Sequence, residues 1–406
     1  MARSKAHSWP AGAYCDAIHS TPGATIPSNR SIVFSMRKKL TFVTIILLGA
    51  FLLSACAGGA RHGTTWPGLA TDGTLIYLAD GPFVFAISVG DGRQIWRYPG
   101  EQNSKLAFNA PPVVTPEGLV IVGSVGTDNS LVALNANDIN PDTSAPFEAW
   151  KFTGAKDHWI AAPLVLEDKL FAVNGDGNLY ILDLQDGQSS KDATVIELNA
   201  GRLWSQPTTD GERVYITSLD HQVIAVDANS YEVVWREDLG GAVPGSAVLS
   251  EDGNLYVGSL ASQLEKFDPA TGNHETVLEA ENWVWSTPGL DGDTLYFSDV
   301  DGNFYSYNTS SGGLNWNPIQ PDGPVTASPL VREDHIVLAT ESGSVYAISR
   351  DGKMLWSQKV GEERSKIYTT PIAVGDLTIV APLDTDFYLA ALDSNGRQVW
   401  TFTPEN

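Results

Sequence analysis

The sequence predicts an all-β chain folded as an eight-bladed β-propeller, and three observations support this fold class. A unit of about 40 residues recurs eight times from Trp66 to the C-terminus, and such a period is typical of propellers with four-stranded blades. Each unit alternates apolar and polar residues, as strands with one buried face do. Pairs such as Asp210-Gly211 and Asp301-Gly302 mark tight turns between these runs, because glycine adopts positive φ at low cost.

Each repeat is predicted to run through its four antiparallel strands in the same order. A short apolar run after a proline forms the innermost strand, and a Gly/Asp turn leads to a second strand, as at 255–258. A further glycine turn leads to a third strand, as at 345–348, and a Gly-x-x-x-Trp segment closes the unit. A lone four-stranded sheet cannot bury both faces, so the blades must stack into a closed ring. The opening positions are Pro67, Pro111, Pro163, Pro207, Ala247 in place of a fifth proline, Pro288, Pro329 and Pro371.

The tryptophans that close the repeats are predicted to be structural. Their gaps of 54, 85, 81, 40 and 44 residues show that two repeats have lost the tryptophan rather than the whole unit. We expect the side chains to be almost fully buried between blades, where each one stabilises the fold by several kcal/mol. They are Trp96, Trp150, Trp235, Trp316, Trp356 and Trp400.

The N-terminal region has the residue order of an export signal. Met36 is followed by Arg-Lys-Lys and by the apolar run 40–53, as in a signal peptide. This run has 14 residues, whereas a membrane span needs about 20, so an uncleaved anchor is the weaker alternative. The tetrad Leu-Ser-Ala-Cys at 53–56 resembles the lipobox of bacterial lipoproteins, which implies cleavage before Cys56 and a lipid on that residue.

These observations divide the chain into four parts. Residues 1–35 have no periodicity and precede a complete signal peptide, so we interpret them as an extension upstream of the true start at Met36. A signal peptide at 36–55 and a lipidated Cys56 with a tether at 56–65 follow. The propeller occupies 66–406 as a single domain.

Charge and cysteine content restrict the possible partners. The whole chain contains 25 Lys and Arg against 48 Asp and Glu. Loss of residues 1–55 removes six basic and one acidic residue, which leaves 19 against 47 and a net charge of −28. Such a balance disfavours nucleic acid and acidic membrane surfaces as partners. Cys15 and Cys56 are the only cysteines, so the predicted ring has no disulfide.

The segments that close the blades resemble the tryptophan-docking motif of quinoprotein-type propellers, Ala-x-Asp-x-x-x-Gly-x-x-x-Trp. Segments 86–96 and 225–235 follow this spacing, and those ending at Trp356 and Trp400 match with one residue fewer. The resemblance covers nearly all of 66–402. It implies that the tryptophan of one blade stacks on the next blade, against the peptide before the glycine. No Gly-His and Trp-Asp pairing occurs at repeat spacing, which argues against WD repeats.

Two classes within this family compete. Quinoprotein dehydrogenases hold pyrroloquinoline quinone and Ca²⁺ in an eight-bladed ring, but they commonly contain a vicinal Cys-Cys disulfide and long insertions that this chain lacks. The chain is more similar to the lipoprotein propeller subunit of the bacterial outer-membrane barrel-assembly machine. That resemblance implies a non-catalytic scaffold without a cofactor. A quinone-dependent dehydrogenase and a small-ligand sensor of the cell envelope are the alternatives.

The same resemblance predicts where the protein acts and with what. We expect a monomeric ring that binds envelope proteins or peptide segments and is attached to the membrane through its lipid. In a host with two membranes, Ala57 after Cys56 fits export to the periplasmic face of the outer membrane. In a host with one membrane, the protein would lie on the outer face of the cell membrane.

Catalytic and metal-binding motifs have simpler explanations in this sequence. Segments 174–178 and 299–303 alternate oxygen-bearing side chains around a glycine, as Ca²⁺ loops do, but both lack the distal glutamate. We interpret them as type I′ turns between the second and third strands of a blade, and predict no metal site. No Gly-x-Ser-x-Gly elbow is present, and the seven histidines are scattered. The sequence therefore predicts no catalytic residues.

Aromatic residues precede several of the blade-opening prolines. Four of them stand three residues before a proline, Trp159 stands four before, and Trp66 immediately precedes Pro67. Because the opening strand is innermost, we expect a partly cationic collar at one channel mouth, suited to peptide segments or to aromatic or anionic small molecules. The alternative is that these rings pack between blades. The candidate collar consists of Phe108, Trp159, Arg202, Trp204, Trp285, Lys366 and Tyr368.

Overall fold

The protein is an eight-bladed β-propeller, as predicted. The computed structural model describes residues 66–185 and 193–405, which form eight four-stranded antiparallel sheets. The predicted signal peptide, Cys56 and the tether lie outside the described residues. Within the described ranges the chain forms strands, turns and loops, and no helix there is long and apolar enough to cross a membrane.

Each blade consists of four consecutive strands, and strand pairing follows chain order in every sheet. Blades 1 to 4 consist of β1 (Gly68–Thr71), β2 (Leu75–Asp80), β3 (Phe83–Ser88) and β4 (Gln94–Tyr98); β5 (Val113–Val114), β6 (Leu119–Gly123), β7 (Leu131–Ile139) and β8 (Pro146–Phe152); β9 (Leu164–Leu166), β10 (Lys169–Val173), β11 (Asn178–Asp183) and β12 (Thr194–Glu197); β13 (Thr208–Thr209), β14 (Arg213–Thr217), β15 (Gln222–Asp227) and β16 (Val233–Asp238). Blades 5 to 8 consist of β17 (Val248–Leu249), β18 (Leu255–Ser259), β19 (Gln263–Phe267) and β20 (His274–Glu279); β21 (Gly289–Asp291), β22 (Thr294–Ser298), β23 (Phe304–Asn308) and β24 (Gly313–Leu314); β25 (Leu330–Val331), β26 (His335–Ala339), β27 (Ser344–Ser349) and β28 (Met354–Lys359); β29 (Ile372–Val374), β30 (Leu377–Val380), β31 (Leu389–Leu392) and β32 (Gln398–Phe402).

The hydrophobic core lies between the faces of neighbouring blades. The two middle strands of each blade are almost entirely buried, as at Ile76–Ala79 in β2. Blade 8 packs on blade 1 in the same way, with Val374 and Phe402 against Leu69 and Phe85. This contact between the first and last blades closes the ring without a shared strand.

Six tryptophans connect the blade surfaces through one repeated hydrogen bond. In each case the indole Nε1 donates to a main-chain carbonyl of the next blade, about 34 to 40 residues along the chain, or of blade 1 for Trp400. The indole covers a turn glycine of the next blade. A Cβ added to Gly272 would lie 2.8 Å from the Trp235 side chain, and Gly272 also has a positive φ of 77°. The pairs are Trp96 with Ala136 (3.1 Å), Trp150 with Leu184 (3.1 Å), Trp235 with Pro269 (2.8 Å), Trp316 with Arg350 (3.3 Å), Trp356 with Ser394 (2.9 Å) and Trp400 with Val89 (3.0 Å).

The expectation of nearly full burial is wrong for three of these tryptophans. Trp96, Trp150 and Trp235 are buried, whereas the other three are only part-buried. All six come at or near the outermost strand of a blade, and the next blade covers the indole to a different extent at each of them. The part-buried residues are Trp316, Trp356 and Trp400.

The acidic turns between the second and third strands are not of type I′, so that interpretation is wrong. Type I′ needs positive φ at both central residues, but here only the fourth residue has it, namely Gly177 (81°) and Gly302 (88°). Each glycine amide donates to the carbonyl of the first turn residue, Asn174 or Asp299, at 3.0 Å. The Asp299 carboxylate also accepts a hydrogen bond from the Tyr305 hydroxyl at 2.9 Å, so this side chain is engaged within its own blade. Among the described residues, no cluster of His, Cys, Asp and Glu fits a metal ion.

Candidate binding site at the channel mouth

One short segment per blade leads into each innermost strand, and these segments share a pattern. In six of the eight segments, exposed or part-exposed residues alternate with buried ones from the third residue before the strand-opening position. A repeated main-chain hydrogen bond fixes the register of these segments. An N–H in the hairpin between the second and third strands donates to a carbonyl of the segment, as the Leu219 N–H does to the Arg202 carbonyl (3.0 Å). The residue after this carbonyl is buried, and the next one is part-exposed. We call these part-exposed or exposed positions the channel ring: Trp66, Asn109, Ile160, Trp204, Pro244, Trp285, Thr326 and Tyr368.

Trp66 belongs to the channel ring although its local sequence differs. It lies five residues before Thr71, whose hydroxyl donates to the Leu75 carbonyl at 2.6 Å. Trp204 lies five residues before Thr209, which makes the same 2.6 Å bond to Arg213. Leu69 therefore takes the place of the strand-opening proline in blade 1, and Trp66 takes the same place as Trp204.

Trp66 contacts two other ring residues, each from a different blade. The rings of Trp66 and Tyr368 stack with centroids 5.3 Å apart and an interplanar angle of 4°. Trp285 meets Trp66 edge-on at 5.9 Å. Trp66 belongs to blade 1 and Trp285 to blade 6, which are not neighbours in the ring. Their contact therefore forms across the channel mouth, and we call Trp66, Trp285 and Tyr368 the aromatic cluster.

Phe108 and Trp159 do not belong to the channel ring, contrary to expectation. Their side chains are 0% and 1% exposed, and Trp159 Nε1 donates to the Asn129 carbonyl at 2.9 Å. Both occupy the buried position one residue before the ring, where blade 4 has Leu203. Pro112 rather than Pro111 takes the strand-opening place in blade 2, so Phe108 lies four residues before it, as Trp159 does before Pro163.

The two predicted cations lie beside the ring rather than in it. Arg202 and Lys366 are exposed and each precedes a ring residue by two positions. Lys366 Nζ lies 5.9 Å from the centroid of the Tyr368 ring. Interactions with Tyr368, and then with the carboxylates of Glu341 and Asp384, raise the pKa of Lys366.

Carboxylates surround the two cations, with Glu341 beside Lys366 and a cleft of mixed charge beside Arg202. Burial raises the pKa of Glu341, although the neighbouring Thr326 hydroxyl and the Lys366 charge act in the opposite direction. Arg202 borders a cleft of about 390 Å³ that is also lined by Lys156, Asp176 and Glu197. Both cations thus have carboxylates close by, which offsets the positive charge expected for the collar.

The channel ring itself has no charged residue at any of its eight positions. It also holds no His, Cys, carboxylate or amine that could act as a nucleophile or as a general acid or base near neutral pH. Asn109 Oδ1 and Trp204 Nε1 are buried and have no hydrogen-bond partner in the part of the chain that the structure describes. The arrangement is therefore suited to binding through the exposed aromatic faces. Sequence reasoning missed Asn109, which no aromatic signal marks.

The repeated sheets and docking tryptophans define a quinoprotein-type β-propeller. A family model described as outer membrane protein assembly factor BamB matches residues 54–275 and 274–403, and the chain belongs to this family. BamB of Burkholderia pseudomallei is 24% identical over 216 residues, which are 49% of this chain and 55% of that protein. Across the curated relatives that it matches, the chain spans between half and about seven-tenths of their length.

Solved structures share the fold. The crystal structure of BamB from Moraxella catarrhalis is 18% identical, with a TM-score of 0.60 over 86% of this chain and 97% of that one. A europium-containing methanol dehydrogenase is 15% identical, with a TM-score of 0.60 over 80% of this chain and 83% of that one. Because BamB and a methanol dehydrogenase match with the same TM-score, the fold alone does not define the activity.

Proposed function

We propose that this protein is a lipid-anchored, extracytoplasmic scaffold that takes part in the assembly of outer-membrane proteins and catalyses no reaction. Membership of the assembly-factor family supports the role. The observation that favours a scaffold over an enzyme is the uncharged channel ring, where the fold offers a central site without a histidine, cysteine, carboxylate or amine. Its partners would be envelope proteins, bound by a single ring attached to the membrane.

The lipid anchor in this proposal rests on the sequence. The order of three basic residues, an apolar run and Leu-Ser-Ala-Cys at 53–56 is that of a lipoprotein signal. A lipid on Cys56 would hold the propeller at the periplasmic face of the outer membrane, or at the outer face of the cell membrane where a second membrane is missing. One acyl chain binds a bilayer only marginally, so stable attachment requires more than one chain.

A membrane crosslinking experiment tests the role. Cells that produce the tagged full-length chain are crosslinked, and the captured proteins are identified by mass spectrometry. We expect outer-membrane proteins or subunits of their assembly machinery to be enriched over a capture with an unrelated lipoprotein. Enrichment of neither group would contradict the scaffold function.

The Cys56→Ser variant provides the matched control for the anchor. We expect it to move from the membrane to the soluble fraction after cell lysis, because no lipid can be attached to serine by the same route. Mass spectrometry of the N-terminal peptide should show a lipid-modified Cys56 in the unaltered chain. An unmodified Cys56, or a variant that stays in the membrane, would refute the anchor without affecting the binding role.

A further inference from the structure

We infer that the outer edge of blades 7, 8 and 1 lies against the bilayer to which the protein is anchored, where it binds the phosphate-bearing headgroups of anionic lipids. This inference rests on the lipid anchor proposed above and adds which side of the ring faces the membrane. The edge consists of the last turn and the fourth strand of each of these blades, and we call it the basic edge. Its segments are 350–359 in blade 7, 393–402 in blade 8 and 89–98 in blade 1.

The three blades of the basic edge repeat one exposed motif. Each has a basic residue three positions before its docking tryptophan and an aliphatic residue one position before it. All six residues are exposed, and the aliphatic ones are 53 to 54% exposed. A long basic side chain can cover an aliphatic neighbour while its charge stays at the surface. The pairs are Lys353 with Leu355, Arg397 with Val399 and Arg93 with Ile95.

The basic edge differs in charge from the other blade edges. Its three segments contain six Lys and Arg against three Asp, and two of these aspartates pair with Arg93 and Lys353. A surplus of three positive charges remains, although the whole chain has a formal charge of −23. An anionic bilayer attracts this edge and repels the rest of the ring, which orients the anchored protein. The corresponding segments of blades 2 to 5 contain three Lys and Arg against eleven Asp and Glu, at 140–152, 184–197, 228–238 and 268–279.

The length of the tether brings this side of the ring to the bilayer. Ten residues, 56–65, join the proposed lipid to Trp66, the first residue of blade 1 that the structure describes. A flexible chain of this length spans about 16–19 Å on average and at most about 36 Å. The outermost strand of a blade lies three strand spacings, about 14 Å, from the innermost one. The edge of blade 1 is therefore within the average span, whereas a tether to the edge of blade 4 would also have to cross the channel.

Aliphatic side chains next to cations favour a lipid surface over an acidic protein. Binding at the membrane interface combines burial of apolar groups among the headgroups with attraction to anionic lipids, and the basic edge offers both. Met354, which is 53% exposed, adds a fourth apolar side chain beside Lys353. The contact can be weak, because the anchor keeps the edge at a high effective concentration near the bilayer.

Fluorescence quenching in vesicles tests which edge faces the bilayer. The sequence after Cys56 has no cysteine, so the lipidated protein can carry one fluorophore on one introduced cysteine. Val399→Cys and Val234→Cys are a matched pair: both valines precede a docking tryptophan, they are 54% and 45% exposed, and blades 8 and 4 face each other. The vesicles consist of phosphatidylethanolamine and phosphatidylglycerol with a nitroxide on some headgroups. We expect at least about threefold stronger quenching at 399 than at 234, because the two edges lie more than about 29 Å apart.

Charge reversal tests whether the basic edge causes this orientation. Lys353→Glu combined with Arg397→Glu should abolish the difference between the two labels. Lys156→Glu combined with Arg364→Glu is the matched control, since it changes the net charge equally at exposed residues of the channel-mouth face and should preserve the difference. Salt at 1 M, where the Debye length is about 3 Å, should reduce the difference as the reversal does. Thermal melts confirm that each variant is folded.

The outcomes separate the inference from the anchor on which it rests. Equal quenching at 399 and 234 in vesicle-bound protein would overturn the inference, and it is the result expected if the basic edge bound an acidic protein instead. A difference that survives the reversal at 353 and 397 would also overturn it. So would stronger quenching of a label at Arg364→Cys, which would place the channel mouth against the bilayer. Protein that does not float with the vesicles would refute the lipid anchor itself, and the inference with it.

Discussion

Replacing Trp400 with alanine tests how the propeller ring is held closed. Every blade is built from four consecutive strands, so blades 8 and 1 are joined by packing and hydrogen bonds without a chain connection. Trp356 makes the equivalent contact between blades 7 and 8, which the chain also connects through residues 360–371. Both indoles are part-buried, and both donate to a carbonyl, at 3.0 Å for Trp400 and 2.9 Å for Trp356. The two contacts thus differ mainly in that the chain runs directly from blade 7 to blade 8 but not from blade 8 to blade 1.

The equilibrium cost of the two substitutions should be nearly equal. A fully buried aromatic side chain contributes about 3–5 kcal/mol, so a part-buried indole contributes about 2 kcal/mol. The Nε1 hydrogen bond adds about 1 kcal/mol. With an unfolding entropy of about 2.1 cal/mol/K per residue over about 340 residues, a loss of about 3 kcal/mol lowers Tm by about 4 °C. Trp96→Ala, at a site that is 1% exposed, should lower Tm further.

The difference between the two variants should appear in local opening. Without Trp400, blades 1 and 8 can separate while the rest of the ring stays folded, and we expect faster amide hydrogen exchange in β1 and β29 to β32. Without Trp356, the linker keeps blades 7 and 8 together, so exchange in β25 to β28 should rise much less. Hydrogen exchange with mass spectrometry measures both. If the two substitutions raised exchange equally at the contact between blades 8 and 1 and at the contact between blades 7 and 8, this account of ring closure would be refuted. An unchanged Tm for either variant would also refute it.

Two other properties follow from the structure. Burial raises the pKa of Glu341, so its ionisation destabilises the fold as pH rises through that raised pKa. Glu341→Gln should therefore melt at a higher temperature than the unaltered chain at pH 8 and at a similar one below pH 4; a constant difference at all pH values would contradict this. Protein supplied with pyrroloquinoline quinone and Ca²⁺ should not oxidise alcohols in a dye-linked assay, because no carboxylate occupies the channel ring. Turnover in that assay would require a different site.

The fold was predictable from the sequence because it is repeated. Each blade offers independent evidence, so the loss of a tryptophan in blades 3 and 5 does not hide the period. The turn type was not predictable from Asp and Gly content. Turns with a single positive φ, as at Gly177 or Gly302, have the same residue composition as type I′ turns. Burial of Trp400 was overestimated, because the motif spacing predicts that the indole docks on the next blade but not how much of it stays exposed.

The candidate site was only partly predictable, and the reason is register. Trp204, Trp285 and Tyr368 lie three residues before a strand-opening proline and do occupy the channel ring. Phe108 was counted from Pro111 rather than Pro112, and a shift of one residue turns a side chain from the channel to the core. Trp66 belongs to the channel ring because Leu69 stands where other blades have the strand-opening proline. Only the hydrogen bonds of the folded blade reveal this equivalence.

The position of the chain ends has a consequence for the order of the blades. The innermost strand of blade 1 begins, and the outermost strand of blade 8 ends, on the channel-mouth face. The Arg97 guanidinium donates a hydrogen bond to the Glu405 carbonyl at 3.2 Å, so the C-terminal residues lie close to blade 1. Every other pair of neighbouring blades is linked on this same face. Which blade comes first is therefore not dictated by the ring, and a circular permutant that starts in the exposed loop 361–364, with a short linker from 405 to 66, should build the same propeller.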